Sequence, residues 1–257
     1  MKKSIKGILY FVFILIIAVS AVVLYKEYTK EPEELEIYKP TPAEIEVKEE
    51  DKKEEVIEKE KIKMAPDVDL AKERAKYKNN DIVGRLELPN LLNVLIVKGT
   101  NNDFYLSHSI SKEYDIRGSE FIDYRVSPTS KQINIYGHNS RDENIQVPFL
   151  KIAKKIETGN WKYFKENPYI ILQHDGGKSV YKIFAIKQVY RSNTEHMNVT
   201  ATGKAFVQHI KNITTGEGTI YSEPPYYDEN SEIIVLQTCS HDWDNALYTI
   251  VGIKIDY

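Results

Sequence analysis

Ile233-Ile234-Val235-Leu236-Gln237-Thr238-Cys239-Ser240 is an apolar run that closes on the only cysteine of a 257-residue chain. Upstream, Asn134-Ile135-Tyr136-Gly137-His138-Asn139-Ser140 has the same build, a short apolar stretch that ends in an imidazole. A rigid sheet presents a thiol and a proton-transfer partner in this way, each at a strand end. A single thiol has no partner for an internal disulfide, so its use is chemistry or packing.

The surrounding pattern is that of strands. Apolar or alternating runs occupy 83–88, 93–97, 120–124, 132–136, 169–173, 180–189, 232–238 and 247–255, and turn signals such as Asp175-Gly176-Gly177 separate several of them. A helix is predicted from a cap at Asp67 or Asp69 to about Tyr77, and helical spacing recurs over 147–156 and 205–213. About eight strands with a few inserted helices imply a mainly β body, a closed or nearly closed barrel in one domain over 66–257.

The rest of the chain is segmented. Residues 1–7 carry Lys2, Lys3 and Lys6, and an apolar run of 18 residues, Ile8 to Tyr25, follows. That length is near the lower limit for a helix that spans a bilayer. Ala18-Val19-Ser20 offers a cleavage register for a signal peptide, whereas the unbroken continuation through Leu24 favours a retained transmembrane anchor. Lysines before the run and net acidity after it predict the N-terminus inside and the body outside. Residues 26–65 read as a charged stalk. Between Lys26 and Lys63 there are 14 acidic and 9 basic side chains, with too little apolar surface to fold alone. A net charge of −3 gives no reason to expect nucleic acid as a partner.

With both strand-end motifs in view, the chain resembles a class B sortase. Ile82 to Pro89 resembles the opening strand of that family. Asn102 to Leu106, together with Gly118 to Arg125, resembles its entry to the barrel. Tyr136-Gly137-His138-Asn139 matches the histidine motif, and Leu236-Gln237-Thr238-Cys239 the cysteine strand, with Val235 where a threonine usually stands. The helical stretch from Phe206 to Ile213 resembles the class B insertion. The resemblance implies an eight-stranded sortase-like barrel with an N-terminal helix and inserted helices. It also implies a cysteine transpeptidase of the Gram-positive surface that cuts a C-terminal sorting signal after threonine. The carboxyl end would then pass to an amine of cell-wall precursor or pilin. In that reading Cys239 is the nucleophile and His138 the acid and base. No metal or organic cofactor is called for.

One expected residue is missing. The family places an arginine on the strand after the cysteine, eight residues on within class B, and this chain has Leu247 there, with no arginine anywhere after Cys239. A lost oxyanion donor commonly costs about a hundred- to a thousand-fold in rate. A slow or degenerate enzyme, a substitute donor and an altered strand all remain open. Arg125, Arg141 and Arg191 are the distant candidates, and Tyr248 is a near one that alternation turns away from Leu247. Thr238, Leu247 and Tyr248 are taken as substrate-groove residues, although a strand threonine needs no function. Asp242, Asp244 or Asn245 would orient His138. The other histidines read as surface or packing residues, and 221–227 as a groove edge or a proline-stiffened loop. The rival functions are a silent sortase-like module that binds sorting signals without cutting them, and a hydrolysing cysteine protease.

Overall fold

A computed structural model describes residues 62–257 apart from Glu143, Asn160 and Trp243. The predicted cytoplasmic N-terminus, anchor and nearly all of the stalk lie outside the described residues. Among those described, no helix is long and apolar enough to cross a membrane.

Of the two cap candidates Asp69 is the one used. It accepts from the Lys72 amide at 3.1 Å to start α1 (Leu70–Tyr77), and Lys78, at φ 50°, ends it in the left-handed region. The strands follow as β1 (Ile82–Leu88), β2 (Leu92–Val97), β3 (Phe121–Ile122), β4 (Gln132–Tyr136), β5 (Tyr169–His174), β6 (Gly177–Tyr190), β7 (Thr219–Ser222), β8 (Ile233–Ser240) and β9 (Ala246–Ile255). Between them lie α2 (Leu150–Glu157), α3 (Trp161–Glu166) and α4 (Gly203–Thr214). The hydrogen-bonded order is β5-β1-β2-β3-β4-β8-β9-β6-β7, and β5 also pairs with β6. Eight strands therefore close into a mixed barrel. The ninth, β7, takes up the same side of β6 where β5 leaves off.

The expected strands are present with shifted ends. β3 is shorter than 120–124 because the chain turns at Asp123, whose carbonyl accepts from the Val126 amide at 3.1 Å. The pattern did not reveal β7 or α3. β7 is a four-residue edge strand with a half-exposed face, so it carries no clean alternation. α3 is six residues long, too short for a helical period to emerge.

Alternation decides what each strand end presents. Along β8, Ile234 and Leu236 point into the barrel with Tyr248 and Ile250 of β9. Ile233 and Val235 point outward under α4, against Phe206, Ile210 and Ile213. The two-residue period then puts Gln237 and Cys239 on the outer face, beyond the cover of α4. Both are partly exposed, whereas Thr238 and Ser240 are buried.

Candidate active site

The register between β4 and β8 brings the two motifs together. These strands are parallel, and Gln132 to Tyr136 pair in step with Ile233 to Gln237. The Gly137 amide continues the ladder to the Gln237 carbonyl at 3.1 Å. One step further the same offset sets His138 beside Cys239. Asn139, also buried, ties the ends together by donating to the Cys239 carbonyl at 2.9 Å.

Both reactive side chains face one open cleft of about 360 Å³, whose walls include Leu106, Thr238, Arg191 and Leu247. Cys239 is a free, half-buried thiol. His138 Nε2 lies 2.8 Å from the Leu106 carbonyl, which only accepts, so this nitrogen carries the proton. Two glycines shape the backbone around the imidazole. A Cβ on Gly137 would stand 2.6–2.9 Å from the Phe149 ring. Gly118, at φ +61°, would press its Cβ on the Tyr105 and Leu106 carbonyls and on His138 Cδ2. The loop before β3 thus positions the imidazole, and no acidic residue after the cysteine does so.

The candidate groove residues divide by face. Leu247 is the cross-strand partner of Cys239 and walls the cleft beside it. Thr238 also reaches the cleft, with its hydroxyl buried and unpaired among the described residues. Tyr248 does not belong there. It is fully buried in the barrel, and its hydroxyl donates to Asp242, so burial first and this carboxylate second push its ionisation well above the usual tyrosine range. Asp242 is further occupied by Gln188 Nε2 at 2.9 Å, so the expected role for it beside His138 does not arise. Asp244 is nearest to Arg141, at 3.8 Å on the surface.

The three distant arginines separate as clearly. Arg125 forks onto the buried Asp123 at 2.8 and 2.7 Å and also donates to the Met197 carbonyl. Burial works to raise the Asp123 carboxyl, but hydrogen bonds from Arg125, Tyr136 and Asn102 outweigh it and hold the group at about 2. Arg141 reaches the His241 carbonyl at 3.4 Å, away from the thiol. Arg191 alone of the three points into the cleft, with Nη2 at 3.4 Å from Cys239 Sγ.

Sequence reasoning missed a buried polar layer behind the cleft. His196 Nε2 meets the Gln237 carboxamide at 2.5 Å, and the His196 carbonyl accepts from Gln132 and Asn134. His209 Nε2 meets the Gln132 carboxamide oxygen at 2.9 Å. Burial pulls the His196 ionisation below its usual range, so it packs as a neutral ring. The only available signal was the polar residues Gln132 and Asn134 alternating within an apolar strand. The 221–227 stretch sits elsewhere: Tyr221 and Pro225 line a separate cleft with Phe164 and Phe184. Among the described residues no three His, Cys, Asp or Glu side chains cluster as metal ligands would.

No family model matches the chain. A curated relative, sortase B of Listeria monocytogenes, is 25% identical over 175 residues, which span 65% of this chain and 65% of that protein. The solved sortase B of Clostridium perfringens is 26% identical with a TM-score of 0.62, covering 72% of this chain and all of that one. The Listeria monocytogenes structure superposes with a TM-score of 0.59 at 21% identity, over 72% and 99% of the two chains. About a quarter of the aligned residues are identical in each of the first two comparisons. In sequence and in fold together, the chain is similar to sortase B proteins.

Proposed function

We propose that this chain is a membrane-anchored cysteine transpeptidase, held by residues 8–25 with its N-terminus inside and its catalytic domain outside the cell. Its substrates are secreted proteins with a C-terminal sorting signal, which it cuts after threonine. The acyl group then passes to an amine of cell-wall precursor or pilin. The observation that carries this reading is the parallel register that brings His138 beside Cys239 in an open cleft.

The chemistry follows from the residues. The Cys239 thiolate attacks the threonine carbonyl carbon, the C–S bond forms and the carbonyl pair moves onto oxygen. As the oxyanion collapses, the C–N bond breaks and the leaving amine takes a proton from His138. The thioester is resolved when an incoming amine attacks and gives its proton back to His138, the C–S bond breaks and Cys239 leaves as thiolate. The Leu106 carbonyl holds the ring at Nε2 through both halves. A sortase B of Staphylococcus aureus has been solved as a substrate complex and a sortase B as a complex with triglycine, and these two ligands match the two substrates proposed.

The test uses the full chain in detergent with quenched peptides that carry Thr-Gly or Thr-Asn signals, with and without oligoglycine, and products read by mass. The expected result is a peptide–oligoglycine adduct that disappears in Cys239→Ala. A free acid in place of the adduct makes the protein a hydrolase. Leu247 in the cleft wall keeps a second reading, a module that binds signals without cutting them, and peptides that bind but stay intact would establish it.

A further inference from the structure

β6, β9 and β8 lie side by side, and their registers place Val189, Leu247 and Cys239 in one row across the sheet. Residues directly opposite in antiparallel pairs share a face, and so do residues two apart on one strand. Arg191 is two residues beyond Val189, so it rises on the face that carries Leu247 and Cys239. Its amide is fixed to the Asn245 carbonyl at 2.7 Å, which extends the β6–β9 ladder past its last pair. From there the side chain crosses β9 and brings Nη2 to 3.4 Å from Cys239 Sγ.

Among the described residues the guanidinium makes no other hydrogen bond. Among the described residues no carboxylate forms an ion pair with it, whereas Arg125 and Arg141 each face an acidic side chain. A fork of donors in contact with the nucleophilic sulfur is also near the oxygen that becomes negative when that sulfur attacks. The oxyanion is attached to the carbon bonded to Sγ, one bond further on, and small rotations of a long, exposed side chain cover that step. A leucine at 247 fits the same arrangement, because an arginine there would compete for the space Arg191 crosses.

We propose that Arg191, reaching in from β6, is the oxyanion donor of this enzyme in place of the basic residue absent from position 247. This rests on the acyl-transfer reading above, but not on which signal or amine is used. The role is to meet the negative charge formed when the carbonyl pair moves onto oxygen, and to release it as the carbonyl re-forms. Leu247 then supplies an apolar wall beside the thioester, and the position left by one arginine is served from the neighbouring strand.

Two reactions of the same thiol test this on the full chain in detergent. Acetylation of Cys239 by p-nitrophenyl acetate passes through a tetrahedral oxyanion, whereas alkylation by iodoacetamide displaces iodide without one. Arg191→Ala is expected to slow acetylation about a hundred- to a thousand-fold, and to slow alkylation far less, by only what the thiolate loses with its neighbouring cation. Arg191→Lys should retain part of the rate, since one donor remains. The double variant Arg191→Ala/Leu247→Arg should recover it, because the arginine returns to the same face one strand away. Unchanged acetylation in Arg191→Ala overturns the proposal. So does a parallel fall in both reactions, which would mean an effect on the thiol itself, and so does a wild-type thiol that alkylates but does not acetylate. Neither reaction needs a sorting peptide, so a failed peptide assay beside a clear split would remove the transpeptidase reading and leave Arg191 its role.

Discussion

At the level of single residues, the site depends on side chains that are small or absent as much as on the two proposed to react. Gly137 stands between β4 and His138 with the Phe149 ring where a Cβ would go. Gly137→Ala must push the ring, itself fully buried, or move the histidine. Overpacking of this kind costs about 1–3 kcal/mol, and we expect a loss in that range by denaturant melts. We also expect transpeptidation to fall more than iodoacetamide alkylation of Cys239, since the imidazole moves and the thiol does not. Asn139 gives a second prediction at this scale. Its carboxamide is the bond between the histidine loop and the Cys239 carbonyl. Asn139→Ala removes that donor and leaves the carbonyl unpaired, at about 1–3 kcal/mol. Asn139→Asp should cost at least as much, because two acceptors then face each other, and the same melts would show it. Cys239 and His138 were singled out from their motifs, and the fold brings both to one cleft. Asn139 was not singled out, because its role depends on the neighbouring strand.

At the level of elements, most of the barrel was written in local pattern. β4 runs over the residues that alternation and turn signals assign to it, and β6 and β9 extend their predicted runs by a few residues at the ends. What local pattern does not contain is register between strands distant in sequence. Arg191 reads as only one of three distant candidates to serve position 247 until β6 and β9 are aligned, when Val189 and Leu247 turn out to be partners. Tyr248 shows the reverse case. Alternation alone placed it on the opposite face from Leu247, and the barrel interior is where it lies. α4 is the element whose role is most open to a test of stability. It covers the outer face of β8 and β9 up to Val235, and its uncovered continuation is Gln237 and Cys239. Phe206→Ala deletes a ring that is 1% exposed beneath this helix. The expected cost is about 3–5 kcal/mol, read by chemical denaturation. Ser222, on the far side of β6, offers a control: its replacement by alanine should shift the midpoint much less.

For the molecule as a whole, the response to pH turns on two acidic groups beside β3 that are displaced in opposite directions. Asp123, the residue after β3, is held at about 2. In the unfolded chain it titrates near its ordinary value, so its contribution is present above that value and fades as pH falls toward 2. Glu120, the residue before β3, is 6% exposed, and burial pushes it up to about 7 from an ordinary 4.5. Below about 4.5 both folded and unfolded chains keep its proton, and burial carries no ionic cost. Between 4.5 and 7 the unfolded chain ionises first, so stability declines as pH rises; above 7 the full penalty is in place and constant. A shift of that size corresponds to about 3 kcal/mol at 1.4 kcal/mol per unit. Glu120→Gln keeps the shape and removes the charge. We therefore expect the variant to be more stable than wild type at pH 8, by up to about 3 kcal/mol, and the two to converge below pH 5. Parallel denaturation series at both pH values measure the difference directly, and Asp123, common to both proteins, cancels from it. A gap that is the same at pH 5 and pH 8 would mean that the side chain contributes through packing alone and that its burial does not govern the alkaline limb of stability.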